Sequence, residues 1–327
     1  MPRIIIDRDL PNPEILAHAA DLLRAGRLVA FPTETVYGLG ANALDAQAVA
    51  RIYEAKGRPS YNPIIVHVAG ITEAREVVRE WSERANALAN AFWPGPMTLV
   101  LPRQPAVPDI VTAGLDSVAV RVPSHPVARA LLDAARIPIA APSANRSTEL
   151  SPTTGWHVEK SLGDAVDLIL DAGPTHVGIE STVIDLTSET PTVLRPGTIS
   201  VLEIERVVGR VAAAAAITGE AARPSPGMMD RHYAPRARLL VAEASDVAST
   251  MQREQSAGHR VGAMVLSANV AGHAVVRMPN DPLTYATRLY ATLHSLDDAE
   301  CQVVVVEAVP DTPEWRGVRD RIERAAR

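Results

Sequence analysis

The chain has 327 residues, 47% of them hydrophobic and 21% charged, which suits a folded protein of about two domains and excludes wholesale disorder. A formal net charge of -6 excludes a general sleeve for polyanions but leaves room for a local basic patch, and one cysteine, Cys301, excludes an internal disulfide framework or a cysteine-rich zinc site. No apolar run approaches the roughly 18 residues that a membrane span needs, and the N-terminal run is broken at once by acids and prolines, so a cytoplasmic protein is expected.

In chain order, Asn12 or Pro13 opens a helical pattern with Leu16, Ala20 and Leu23 on one face and Gly26 as its stop. Residues 28–31 read as a buried strand halted by Pro32, and Asp45 as the N-cap of a second helix that ends at Gly57. Strands are predicted at 63–68, 97–102, 118–123 and 138–143, with one or two helices over 72–92 and another at 126–136. Strand signals continue at 167–173, 181–186 and 191–197, and a helix is predicted from 199 through the alanines to 215. Residues 219–236, rich in proline and glycine, read as a linker. Beyond it strands and helices alternate to the end of the chain. The pattern implies an α/β or α+β domain with a large mixed sheet over 1–200, a helix end and linker over 201–236, and a small open α/β domain over 237–327.

The usual nucleotide and metal signatures are missing. Neither lysine sits in a phosphate-binding P-loop, and no HExxH or GxSxG occurs. GLGANA (38–43) has the shape of a dinucleotide turn but lacks the preceding strand and the following acid. What remains are polar residues in loop signals. Residues 31–40 read as a polar turn placing Thr33, Glu34, Thr35 and Tyr37 between a buried strand and two glycines. Of the 32 basic residues only Lys56 and Lys160 are lysines, and Lys56 leaves a helix C-terminus together with Arg58, near Asn62. Helix-end electrostatics explains a cation there but not the choice of lysine, a compact point charge suited to one phosphate. With 141–147, the stretch Glu180–Thr182 and Arg195, these segments set Lys, Arg, Ser, Asn and Thr at strand termini, as a crevice for an anion would require.

PTETVYGLGANA, AKGRPSYNPIIVHV, WPGPMTLVL, VTAGLDSVAVRVPSHP, PIAAPSAN, GIESTVIDL and LRPG, in that order over residues 13–199, resemble the signature of the YrdC-like L-threonylcarbamoyladenylate synthases. SPGMMDRHYAPRARLL (225–240) is similar to the linker of the long, two-domain form, although Met229 and Asp230 stand where a basic or aromatic pair is expected. The resemblance implies a twisted mixed sheet with a concave cavity, a smaller Rossmann-like C-terminal domain, and an enzyme that condenses L-threonine, bicarbonate and ATP to L-threonylcarbamoyladenylate and pyrophosphate. The product would serve, through a downstream threonylcarbamoyl-transferase complex, the modification of adenosine in ANN-decoding tRNA. The resemblance implies a catalytic tetrad of Lys56, Arg58, Ser143 and Asn145. It implies ATP contacts from these four and from Asn62, Ser117, Ser151, Arg195 and Tyr233, and threonine contacts from Thr35, His67, Arg121, Ala141 and Ser181. Magnesium is expected with ATP and not in a dedicated carboxylate cage. An RNA-binding module is the rival reading, against which acidity and sparse aromatics count; holding RNA directly is not the expected primary role. A carbamoyl-transfer enzyme of the hydrogenase-maturation type would need zinc-finger cysteines that the chain lacks.

Overall fold

The computed structural model describes residues 2–214, 233–272 and 274–327; Met229, Asp230, Arg231 and His232 of the expected linker lie outside the described residues. The larger body runs β1 (Arg3–Ile5), α1 (Pro13–Arg24), β2 (Val29–Pro32), β3 (Tyr37–Asn42), α2 (Ala46–Lys56), β4 (Val66–His67), α3 (Ile71–Val77), α4 (Glu83–Phe92) and β5 (Met97–Pro102). It continues with α5 (Asp109–Thr112), β6 (Ser117–Arg121), α6 (Pro126–Ala135), β7 (Ile139–Ala140), α7 (Gly155–Leu162), β8 (Leu168–Asp171), β9 (Thr182–Asp185), β10 (Thr192–Arg195), α8 (Val201–Val208) and β11 (Ala212–Ala213). Among the described residues these strands form one mixed sheet of eleven, ordered β1-β8-β2-β3-β7-β4-β6-β5-β9-β10-β11.

Alternation along the strands divides the core. Val29 and Phe31 point toward α1 and α6, whereas Leu28 and Ala30 join the cluster that α2 covers. On β6, β5, β9 and β10 one face is likewise sealed into that cluster by Val118, Val120, Leu99, Ile184 and Val193. The other face carries only a small apolar group, Ile65, Val100, Ala119, Val183 and Leu194, with Ala214 packed against it. Among the described residues no helix joins the packing of this group, although Ile65, Val100, Ala119, Val183 and Leu194 are all buried.

Three expectations need correction. Residues 37–42 are a strand, not a polar turn, and pair with β2 at Val29↔Gly40 and Phe31↔Gly38. Glycine is required there by closeness: a Cβ on Gly40 would stand 2.8 Å from the Phe31 ring and 2.9 Å from Ile139. The helix expected to run on through the alanines stops at Val208, because Gly209 turns the chain (φ 75). Ala212 and Ala213 then pair in parallel with β10, so this stretch extends the large sheet. Of the strand expected over 63–68 only Val66–His67 pair, and the short edge strand β1 and helix α7 carry too little periodicity to be read from sequence.

The smaller body is β12 (Arg238–Ala242), α9 (Val247–Ser256), β13 (Val261–Val265), β14 (Ala274–Arg277), α10 (Pro282–Asp298), β15 (Val303–Glu307) and α11 (Arg316–Ala325). Its strands are all parallel, ordered β12-β15-β13-β14. Helix α9 covers one face; α10 and α11 cover the other. That second cluster also takes in Val36, Leu150 and Ile179 of the larger body, so the two bodies share apolar core. Among the described residues no helix is long and apolar enough to cross a membrane.

Candidate active site

Strands β4 and β6 run parallel with His67 beside Arg121 at their ends, and both residues open into a cavity of about 50 Å³. The cavity also takes Thr33, Thr35 and Val36 from the turn after β2, Arg58 from beyond α2, and Ala141 to Ser143 from the end of β7. Glu180, Arg195 at the end of β10, and Tyr233 close it. The local folding explains these placements. Asp45 caps α2, Gly57 ends it in the left-handed region (φ 58), and Arg58, the next residue, lines the cavity.

Charge is concentrated where water is scarce. Arg121 is 3% exposed and fixed by three partners: Nε donates to the Gly95 carbonyl (3.2 Å), Nη1 to Thr35 Oγ1 (3.0 Å) and Nη2 to Glu34 Oε1 (2.7 Å). Burial would raise the Glu34 carboxyl, but Arg121 and the Ser124 amide outweigh it and hold the group below its ordinary value. Arg58 rests on main-chain oxygens instead, donating to the carbonyls of Asn62 (3.0 Å) and Pro63 (2.6 Å), and burial pushes it down to about 10. Lys56 likewise donates to carbonyls, those of Ser143 (2.6 Å) and Asn145. Burial, with Arg58 nearby, pushes its ammonium well below the lysine range. Burial and then Arg121 push His67 down to about 3, so its ring is neutral at pH 7, and its Nδ1 has no hydrogen-bond partner among the described residues.

Of the residues singled out from sequence, Thr35, Arg58, His67, Arg121, Ala141, Ser143, Arg195 and Tyr233 line the cavity. Lys56, Asn62, Asn145, Ser151 and Ser181 lie buried behind that lining. Asn145 donates through Nδ2 to the carbonyls of Arg146 and Glu149 (both 2.9 Å), which ties the turn that Lys56 supports. Ser181 sits between Thr98 Oγ1 (2.8 Å) and Arg195 Nη2 (3.0 Å), so it holds Arg195 in place. Ser117 stands at the opposite end of β6 from Arg121, on the same face by alternation, with Ala119 of the small apolar group between them. Ser151 donates to Glu180 Oε1 (2.5 Å).

Sequence reasoning gave no role to Glu34 or Glu180, although both stand in the quoted motifs, and it missed Arg321, Tyr290 and His294 of the smaller body. Burial would raise Glu180, but Arg321 and Arg195, with the Ser151 hydroxyl, hold it down at about 2. Arg321 left one trace in the sequence: it interrupts the apolar stripe of Val318, Ile322 and Ala325 on α11. Arg58, Arg121 and Arg195 on one cavity, held on carbonyls, on the Ser181 hydroxyl and on the buried Glu34 carboxylate, suit a ligand with several negative charges in close sequence.

The profile described as "Telomere recombination", covering the Sua5, YciO and YrdC proteins, matches residues 21–197, and that of the "Threonylcarbamoyl-AMP synthase, C-terminal domain" matches residues 199–327. Two curated relatives, the threonylcarbamoyl-AMP synthases of Pyrococcus abyssi and Bacillus subtilis, are each 42% identical to the chain. The alignments cover 94% of the chain and 93% of the Pyrococcus protein, and 98% and 96% for the Bacillus protein. The crystal structure of P. abyssi Sua5 complexed with L-threonine superposes with a TM-score of 0.95 at 39% identity, covering 100% of this chain and 98% of that one.

Proposed function

The chain belongs to the threonylcarbamoyl-AMP synthase family, and from that premise we propose that it condenses L-threonine, bicarbonate and ATP to L-threonylcarbamoyladenylate and pyrophosphate. The observation that carries the reading for this chain is the pair Lys56 and Arg58. Both are buried, yet their ligands are main-chain carbonyls and not carboxylates, so their charge is left to meet an anion. A protein that only needed to fold would not bury two such cations side by side, since the desolvation cost is several kcal/mol per ion, roughly, before any partner repays it.

The chemistry proceeds in two balanced steps. The threonine amine attacks the carbon of bicarbonate and a water leaves, giving a carbamate. A carbamate oxygen then attacks the α-phosphorus of ATP and pyrophosphate leaves. Three anionic groups must therefore approach one another, which needs clustered cations more than a strong base. The guanidinium of Arg121 has five N–H bonds, of which three are committed to Gly95, Thr35 and Glu34. The remaining two, one on each Nη, are held ready for the threonine carboxylate. Neutral His67 adds no charge beside the substrate ammonium and offers a buried nitrogen to its hydroxyl or amine. Ala141, 4% exposed, suits the threonine methyl.

Arg58, Arg195 and the Ser143 hydroxyl would take the phosphates, with the small apolar group at Ala119 and Leu194 as the floor that leads toward Ser117 and the nucleoside. Glu34 and Glu180 are already engaged by arginines, so magnesium would be carried by the ATP phosphates, where it would neutralise charge on the leaving pyrophosphate. Enclosure protects the carbamate, which is short-lived in water. The adenylate would pass to a threonylcarbamoyl transferase acting on tRNA in the cytoplasm.

The test is direct. Purified chain should release pyrophosphate from ATP only when both L-threonine and bicarbonate are present, with a threonylcarbamoyl-AMP mass in the products. Pyrophosphate release that ignores threonine, or no adenylate at all, would overturn the proposal.

A further inference from the structure

We propose that Arg321, in the last helix of the smaller body, is a positioning residue for the nucleotide side of the cavity: it holds the Glu180 carboxylate away from Arg195 and seats the Tyr233 ring. The proposal rests on the reading of the cavity as an ATP site.

Arg321 is 1% exposed, deep in the seam between the two bodies. Its Nε donates to Glu180 Oε2 (2.7 Å) and its Nη2 to the Glu180 carbonyl (3.3 Å). Its Nη1 donates to the carbonyl of Pro196 (2.9 Å), the residue after Arg195, and to Asp320 (2.7 Å). The guanidinium carbon lies 5.1 Å from the centre of the Tyr233 ring, a cation–π distance. Tyr233 is itself 1% exposed and sits in the left-handed region (φ 61), a backbone state that a bulky residue keeps only when its surroundings impose it.

The other ligands of Glu180 complete the geometry. Ser151 donates to Oε1, and Tyr290 of α10 to Oε2 (3.1 Å). His294 of the same helix stands 3.1 Å from the Ser151 carbonyl through Nε2. One carboxylate thus ties the cavity wall to two helices of the smaller body. Close approach of those helices is built into the motifs. A Cβ on Gly178 would stand 2.4 Å from the Ala286 carbonyl of α10, and a Cβ on Gly317 of α11 would stand 2.4 Å from the Gly197 carbonyl. Gly178 of the GIES stretch therefore serves as a seat for α10, and Gly317 lets α11 settle on the backbone of Gly197, whose own Cβ would instead stand 2.5 Å from the Thr182 amide nitrogen.

A plain structural pair would explain burial and bonding, but not why its far ends, Glu180 and Tyr233, are cavity wall. Arg195 is the nearer consequence. Its charge already acts on Glu180. Without Arg321 the Glu180 carboxylate would turn to Arg195 and cancel a cation meant for phosphate. Threonine, held at Arg121 on the other side, would be little affected.

The full chain with Arg321→Met should therefore bind ATP at least tenfold more weakly by calorimetry. Its KM for ATP should rise to match, while the KM for threonine stays within twofold. Arg321→Lys keeps a charge without the fork and should lie between; it carries the same test if the methionine variant does not fold. Adding Glu180→Gln to Arg321→Met removes the carboxylate that captures Arg195, and should recover at least fivefold of the lost ATP affinity. ATP affinity within twofold of the parent in a folded Arg321 variant would overturn the proposal, as would equal loss of ATP and threonine binding. Calorimetry needs no turnover, so a parent chain that binds ATP but forms no adenylate would refute the reaction alone.

Discussion

Lys56 offers the sharpest test of how the site is built. Lys56→Met keeps the length and apolar stem of the side chain and removes the ammonium. The ammonium donates to the carbonyls of Ser143 and Asn145, which brace the turn carrying the Ser143 hydroxyl into the cavity. A hydrogen bond from a charged donor is worth about 1.5–3 kcal/mol, so two would come to about 3–6 kcal/mol before the relief of no longer burying the charge. That relief is large for a residue 3% exposed, and we take about 1–2 kcal/mol as the net loss of stability, small against the ~5–15 kcal/mol of a typical domain. The loss in the reaction is not offset in this way, because the misplaced turn and the missing charge both act on the transition state. At about 1.4 kcal/mol per decade, losing about 3 kcal/mol of positioning and charge slows adenylate formation roughly a hundredfold. Initial rates of pyrophosphate release at saturating ATP, paired with urea unfolding, separate the two effects. Lys56→Arg is the informative control. It restores charge but forces a wider, planar fork into a filled site, and it should stay at least tenfold impaired. Rates of Lys56→Met within threefold of the parent, or full recovery with arginine, would refute the argument that a compact donor on two carbonyls organises the turn.

Glu34→Gln should cost about 3 kcal/mol of stability, since Oε1 accepts from Arg121 and Oε2 from the Ser124 amide, and an amide nitrogen in either place sets donor against donor. Urea midpoints would show it, and a change below about 0.5 kcal/mol, the range of an ordinary surface substitution, would show that the pair is not what fixes Arg121. Acid should weaken the fold early. His67 and His157 are pushed down to about 3 and His294 to about 4, chiefly by burial, so the unfolded chain binds more protons below its ordinary histidine value. Stability is then full above about pH 6.5 and falls as pH drops toward the folded values, by up to about 1.4 kcal/mol per unit for each group. The stacked rings of His157 and His294, 3.8 Å apart across the two bodies, share this loss because they cannot both be charged at that distance. A urea midpoint that is flat from pH 7 to 5, or a slope unchanged in His294→Gln, would count against it.

Legibility in the sequence followed the range of the forces involved. Helices such as α1 and α6 were readable because cap, apolar stripe and stop all lie within about fifteen residues. Strand β3 was misread because its glycines signal a turn locally, whereas the need for Gly40 comes from Phe31 and Ile139 pressing on that backbone. The alanines at 212–213 have helical propensity, but Gly209 and the free edge of β10 decide their state. The site was legible as motifs and not as layers. Nothing in the spacing tells that Arg58 lines the cavity while Lys56, two residues earlier, stands behind it, since that depends on where Gly57 turns the chain. Arg321 was out of reach for a further reason. Its partner Glu180 is 141 residues away, and only the break in an apolar helical stripe marks it. A buried charge on such a stripe is costly unless a partner of opposite sign is waiting. The acid of GIES, buried between Ile179 and Ser181 at a strand entrance, carries the same cost, and each of the two groups removes the other's only when the last helix packs on that strand end.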